Sequence, residues 1–307
     1  MPNPHYIPEE FRTEFSTNVE YAIQQDQSVL FPKAKADNFK GKEKVYTKQE
    51  STSMERRTGR LRQTVLSEAT FQNRKAFKEE FVKHFIFDEW DEELLGELGR
   101  PDSETIENLK MAWEVAKDEA FVSAATGIVY GGVRPHATEI PLPDTQKVAV
   151  NYTGIGVTPA NTHLTPAKLI RAASIFEDNH LDPMRYPTYV AINPTAKEQL
   201  LQYVSTSPND VWAKMCIPWL EGKDSKLFGL TPVMTTNLAY NSSTEIDTLF
   251  AWNEKKGIYT ANEKLTIKID VRPDLEHALQ ISAYGQLAVM RRHEEAVVLI
   301  YCDRSPA

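Results

Sequence analysis

The residue types that carry most chemistry are present in this chain, but not in arrangements that could perform it. Its seven histidines are scattered, and no two have the helical spacing that places imidazoles on one face for zinc. Cys216 and Cys302 stand far apart, without metal spacing and without the local context of a nucleophile. Asp88, Glu89, Asp91, Glu92 and Glu93 offer oxygen ligands, yet hard cations want such ligands converging from a shaped loop, usually with a glycine at its turn. Here the acids interleave with Trp90 and precede Leu94 and Leu95, the pattern of a solvated helix face. Gly154-x-Gly156 lacks the third glycine and the strand-then-helix setting of a dinucleotide site, and Gly131-Gly132 reads as a turn after a helix. There is no G-x-S-x-G elbow and no GKS or GKT phosphate cradle. His293, between Arg292 and Glu294 on an expected strand, reads as a surface or interface residue. No catalytic, metal or cofactor-binding residue is assigned, and no cofactor is implied.

The bulk properties narrow the class further. A chain of 307 residues forms one large domain or two modest ones, with a substantial core. Its 41% hydrophobic and 25% charged content is that of an ordinary globular protein. The net charge of -8 argues against a surface built for tight nucleic-acid binding, which leaves a basic footprint, though it permits loose contact. No run approaches the ~18 apolar residues of a membrane span, and the first residues lack the basic and apolar regions of a secretory signal. The expectation is a cytosolic chain with no membrane partner and no disulfide scaffold.

The elements that remain are suited to building surfaces. Residues 1–40 read as an arm lying on something else: Phe11, Phe15, Val19, Tyr21 and Ile23 are set among polar residues, and a break at Phe31-Pro32 follows. From Gly41 to Phe81 the chain is polar and basic, with Arg56, Arg57, Arg60, Arg62, Arg74 and Lys75 around Gly59. Alternation at Val45, Tyr46 and Thr47, then at Leu61, Thr64, Val65 and Leu66, predicts a long two-stranded hairpin, the competing reading being a disordered basic insertion. Such a hairpin buries little by itself and needs a neighbour to cover it. After Pro101, a helix is expected from a cap at Asp102 or Ser103 to a stop at Gly127, with Ile106, Leu109, Trp113, Ala116 and Ala120 on one stripe. Thr165-Pro166 opens a second helix running to about Asn179. A buried strand at Tyr189–Ile192 ends at Asn193-Pro194, and a short helix covers Thr195–Tyr203. Leu227–Thr235 and Leu249–Trp252 are further strands. At the end of the chain, Leu265, Ile267, Ile269 and Val271 alternate as the inner face of a half-buried strand. Leu279, Ile281, Ala283, Leu287 and Val289 form a second such strand, closed by Arg291, Arg292 and His293, before the buried run Ala296–Tyr301.

This order of parts resembles the major capsid protein of tailed double-stranded DNA phages, the Hong Kong 97 fold. AYGQLAVMRRHEEAVVLIYCD is similar to that family's pattern of strand, basic residue, small turn and buried terminal strand. YPTYVAINPTAKEQLL resembles the strand, Asn-Pro and helix of its axial domain, with KLFGLTPVMTTN in support. The resemblance implies an α+β fold with an N-terminal arm (1–40), an extended loop (41–81), a peripheral domain with its spine helix (82–150, helix 102–127), an axial domain (151–252) and returning strands (253–307). It further implies self-association into hexamers and pentamers of an icosahedral head enclosing double-stranded DNA, with no enzymatic activity. Arg56, Arg57, Arg60, Arg62 and Trp90 become inter-subunit contact candidates. The partners implied are further copies of the chain, a portal, a separate scaffolding protein, packaged DNA held without sequence specificity, and decoration proteins in some heads. The place of action would be the virion, with assembly in the host cytoplasm. Two other readings stay open: an encapsulin-like compartment shell sharing the fold, and a soluble enzyme with a dispersed site.

Overall fold

The computed structural model describes residues 25–54, 56, 68–87, 102–132, 138–206, 210–222 and 226–305. In chain order the first half holds β1 (Lys35–Asp37), β2 (Glu43–Gln49), β3 (Phe71–Phe77), β4 (Glu79–Phe87), α1 (Asp102–Thr126), β5 (Val129–Gly131), β6 (Thr138–Ile140) and β7 (Lys147–Val148). The second half holds α2 (Pro166–Asp178), β8 (Thr188–Ile192), α3 (Pro194–Thr206), α4 (Asp210–Leu220), β9 (Leu230–Met234), β10 (Ala239–Asn241), β11 (Ile246–Asn253), β12 (Ile258–Arg272), β13 (Ala278–Arg291) and β14 (Val297–Asp303). Two compact units result. The first contains the described residues within Met1–Ser28, Glu79–Lys117 and Glu263–Leu287; the second contains those within Val29–Lys78, Asp118–Asn262 and Ala288–Ala307.

In the first unit, β13 pairs antiparallel with β4, from Leu279 opposite Phe87 to Leu287 opposite Glu79, and β12 flanks β13 on its other side. The alternating pattern works as a strand pattern should: Phe85, Phe87, Ile281, Ala283, Leu265 and Ile267 share a cluster with Ile106 and Leu109 of α1. Trp113 packs one turn further along, where a side chain on Gly285 would collide with the indole. Phe81 meets the same indole edge-on at 5.7 Å between centroids. One expectation needs correcting. Leu265 and Ile267 are partly buried, but Ile269 and Val271 are 47% and 55% exposed, since they lie past the residues that α1 covers.

The second unit is built on a sheet ordered β7-β14-β11-β8-β9, with β10 paired to β11. Each central strand sends alternate residues to opposite sides. Val190, Ile192, Leu249, Val298 and Ile300 pack with Leu169 and Phe176 of α2, Leu200 of α3 and Trp219 of α4. Ala191, Phe250, Trp252, Val297 and Leu299 pack with Leu30 and with Phe121, Val122 and Ala125 of α1. Because both faces are covered, the strand Ala296–Tyr301 reads as a continuous apolar run rather than an alternating one. The buried indoles are satisfied: Trp219 Nε1 donates to Leu230 O and Trp252 Nε1 to Lys33 O, each at 2.9 Å.

Helix ends follow their sequence signals. Proline opens α2 after Thr165, Asn193 Oδ1 accepts the Ala196 N–H at 2.7 Å to cap α3, and Gly127 stands directly after α1. The stripe on α1 is less regular than the sequence suggests, for Ala120 is only partly buried while Phe121 and Ala125 are fully enclosed. The helix α4 has no counterpart in the sequence reading; it carries Pro218 inside it.

Candidate assembly surfaces

The hairpin β2–β3 pairs antiparallel from Glu43 opposite Phe77 to Gln49 opposite Phe71. Its return strand therefore lies at Phe71–Phe77, while Leu61, Thr64, Val65 and Leu66 fall outside the described residues. Residues 79–81 are not in this pair; they open β4. The hairpin leaves Val45 43% and Phe71 59% exposed, apolar surface that the described residues do not cover.

At the root, polar contacts join a small hydrophobic cluster of Tyr46, Ala76, Tyr259 and Met290. Arg74 Nε and Nη2 donate to Glu294 Oε1 and Oε2 at 2.8 and 3.0 Å, and both side chains are buried. Such a two-point pair fixes direction as well as distance. Lys48 Nζ donates to Glu295 Oε1 at 2.7 Å. Tyr46 and Tyr259 meet edge-on at 5.8 Å, and the Arg292 guanidinium lies about 5 Å from both ring centres, at 5.1 and 5.0 Å. Lys44 Nζ and Tyr46 Oη both donate to Asp37 Oδ2, at 2.7 and 2.5 Å. The hydrogen bond from Lys44, then that from Tyr46, holds the Asp37 carboxyl down at about 2. Burial, followed by the charge on Lys48, pulls His293 down to about 4. The imidazole is therefore neutral at neutral pH.

His293 does not sit on a strand, because β13 ends at Arg291 and His293 precedes the 3-10 turn Glu294–Ala296. It is a half-buried residue of the hairpin root. Arg291 closes β13, as expected, and is wholly buried. Its Nη1 donates to Ala125 O and Gly127 O at 3.0 and 2.9 Å, and its Nη2 to Ile140 O at 3.3 Å. The guanidinium thus answers carbonyls that the end of α1 leaves without helical partners. Neither role was visible locally; the available signal was the density of charge in Arg291-Arg292-His293-Glu294-Glu295, directly before an apolar strand.

Of the five contact candidates, Arg56 is described and exposed. Arg57, Arg60, Arg62 and Trp90 lie outside the described residues, as does the acidic run from Asp88 to Glu93. The remaining chemistry-bearing groups are placed in the packing. Cys216 and Cys302 are free and buried, and burial pushes their thiols up to about 11 and about 12. Among the described residues no three His, Cys, Asp or Glu side chains could hold a metal ion, and no helix is long and apolar enough to cross a membrane.

Comparison with known proteins accords with this arrangement. A family model described as phage capsid protein matches residues 7–304. No curated protein matches the chain. Among solved structures, the capsid of cyanophage P-SCSP1u is similar at 14% identity with a TM-score of 0.65, over 95% of this chain and 93% of that one. A structure from Mycobacterium phage Ogopogo gives 16% and 0.63 over 96% and 98%, and the capsid of Ralstonia phage GP4 gives 9% and 0.62 over 98% and 96%. At these identities the likeness is one of fold, and it extends over nearly the whole of each chain.

Proposed function

The chain belongs to the phage capsid protein family and is a structural protein of the phage head, and from that premise we propose that its copies associate as hexamers and pentamers of an icosahedral shell around double-stranded DNA. Its place is the virion. The observation that carries the reading is the match across residues 7–304, which embraces every described element. The geometry supports it, since the hairpin is fixed at its root by the buried Arg74–Glu294 pair and leaves Val45 and Phe71 exposed. Closed symmetry supplies the missing cover by repeating one contact around an axis. In this proposal the chain works without catalysis, assembles in the host cytoplasm, joins a portal and uses a separate scaffolding protein. Decoration proteins add to the outside in some heads. The basic hairpin residues Arg56, Arg57, Arg60 and Arg62, with Trp90, contact the adjacent subunit.

Negative-stain electron microscopy of the purified chain, with light scattering, tests the reading. Shells, tubes or discrete hexamers and pentamers are expected, with a scaffolding protein added if the chain alone stays monomeric. A small closed dimer that buries the hairpin would contradict it.

A further inference from the structure

Where β14 ends, two loops of the second unit meet the chain that leaves it. The Asp303 N–H donates to Thr162 O at 3.0 Å and the Arg304 N–H to Glu245 O at 2.9 Å, so the loop before α2 and the β10–β11 turn flank the same strand end. The first loop is closed at its base, where the Thr162 N–H donates to Val150 O at 3.2 Å, and tied again inside, where Thr153 Oγ1 donates to Thr158 O at 3.0 Å. Compact loops with joined ends hold their own shape and frequently carry function. Gly154 and Gly156 take φ of +129° and +78°, which other residues rarely adopt, and they present Ile155 and Val157 97% and 58% exposed. Tyr240 of β10 is exposed at the same end, its ring centre 3.8 Å from the Arg304 guanidinium. So is Tyr203 of α3, whose ring meets that of His163 at 5.3 Å.

This end is also poor in charge. Residues 148–167 and 227–244 contain no Asp, Glu, Lys or Arg, in a chain of which 25% is charged. Burial does not account for it, since residues 155–161 and 239–244 are exposed. Arg304, between the two loops, is neutralised by Asp247, to whose Oδ2 and Oδ1 its Nε and Nη2 donate at 2.9 and 2.8 Å. Loss of charge beside exposed aliphatic and aromatic side chains is the mark of an interface core.

We propose, on the premise that copies of the chain assemble into a head, that this end of the second unit is where neighbouring copies touch, with Ile155, Val157, Tyr203 and Tyr240 in the contact. Charge favours a second copy as the occupant. Each copy carries a net charge of -8, so two copies repel one another except where a neutral surface lets them approach. A nucleic-acid backbone would instead call for cations, and neither loop bears one. Around a rotation axis, one flank of this end meets the other flank of the next copy, so both loops take part in each contact.

Thiol labelling of an Ile155→Cys variant of the full chain tests this, because Cys216 and Cys302 are buried and leave the introduced thiol as the reactive one. A maleimide should label it more slowly in assembled particles or capsomers than in the unassembled chain, by about tenfold or more, as water is excluded from the contact. An Ile155→Asp/Val157→Asp variant should melt as the wild type does, since both side chains are exposed, while its yield of particles falls by about tenfold or more. Equal labelling in both states, or full assembly of the aspartate variant, overturns this contact and leaves the assembly reading standing. A wild-type chain that forms neither rings nor particles, even with its scaffolding protein, overturns that reading and the contact with it.

Discussion

Arg74 and Glu294 illustrate the difference between breaking an ion pair and replacing it. Their side chains are 6% and 7% exposed, so removing one charge strands the other in a site from which water is excluded. Glu294→Gln is expected to cost about 3–5 kcal/mol in urea unfolding, whereas Arg74→Met/Glu294→Met should recover most of that loss. A double variant as unstable as the single one would contradict this account. The pH behaviour of the same region follows from His293, whose folded value near 4 lies below its ordinary 6.5. The unfolded chain takes up the proton first as pH falls, so stability declines between about 6.5 and about 4. Asp37 acts lower on the scale and in the same sense: with a folded value of about 2 against 3.8, its stabilisation is present above 3.8 and lost as the pH falls toward 2. Thermal melts at a series of pH values should show His293→Gln flattening the upper part of the decline and leaving the lower part in place.

Among the elements, β13 has its geometry set by one missing side chain. Gly285→Val would drive a branched carbon into Trp113, displacing the indole from its place on α1. The expected cost is about 1–3 kcal/mol, measured by denaturant unfolding, with faster amide exchange confined to the first unit. An unchanged midpoint would show that the indole has somewhere else to go. Elements such as α2 were legible because their start signals are local: proline at the first helical position after Thr165 needs no tertiary information. The helix α4 was not, since Pro218 argues against a helix and the packing of Trp219 and Cys216 overrides it. The pairing of β4 with β13 joins residues such as Phe85 and Ile281, far apart in sequence, and alternation shows only that each strand has an inner face. For the same reason the buried role of Arg291 was out of reach, because it depends on Ala125, 166 residues earlier in the chain. Its sequence neighbours look like those of any charged turn.

For the whole molecule, the net charge of -8 and the basic hairpin pull in different directions, and assembly reconciles them. In the proposed shell the acidic balance keeps packaged DNA from adhering to the inner wall, while Arg56, Arg57, Arg60 and Arg62 meet acidic residues of a neighbour. Reversing these four arginines to glutamate should abolish shells in electron micrographs and leave the circular dichroism and melting of the unassembled chain unchanged. Intact shells from that variant would remove the arginines from the contact. The family itself was readable from the order of parts, whereas the surfaces that join copies were not, since nothing in one chain states which residues of another it will meet. One feature of the second unit bears on how the chain is made. The strand β14 does not sit at the margin of its sheet but between β7 and β11, with Val297 to Asp303 paired along its length to β11. The sheet therefore keeps a vacant central slot until the ribosome has released Asp303, and both hydrophobic layers stay open for that time. A chain cut back before Val297 could not close this unit, and its two uncovered layers would make it a target for proteases before it could take a place in any wall.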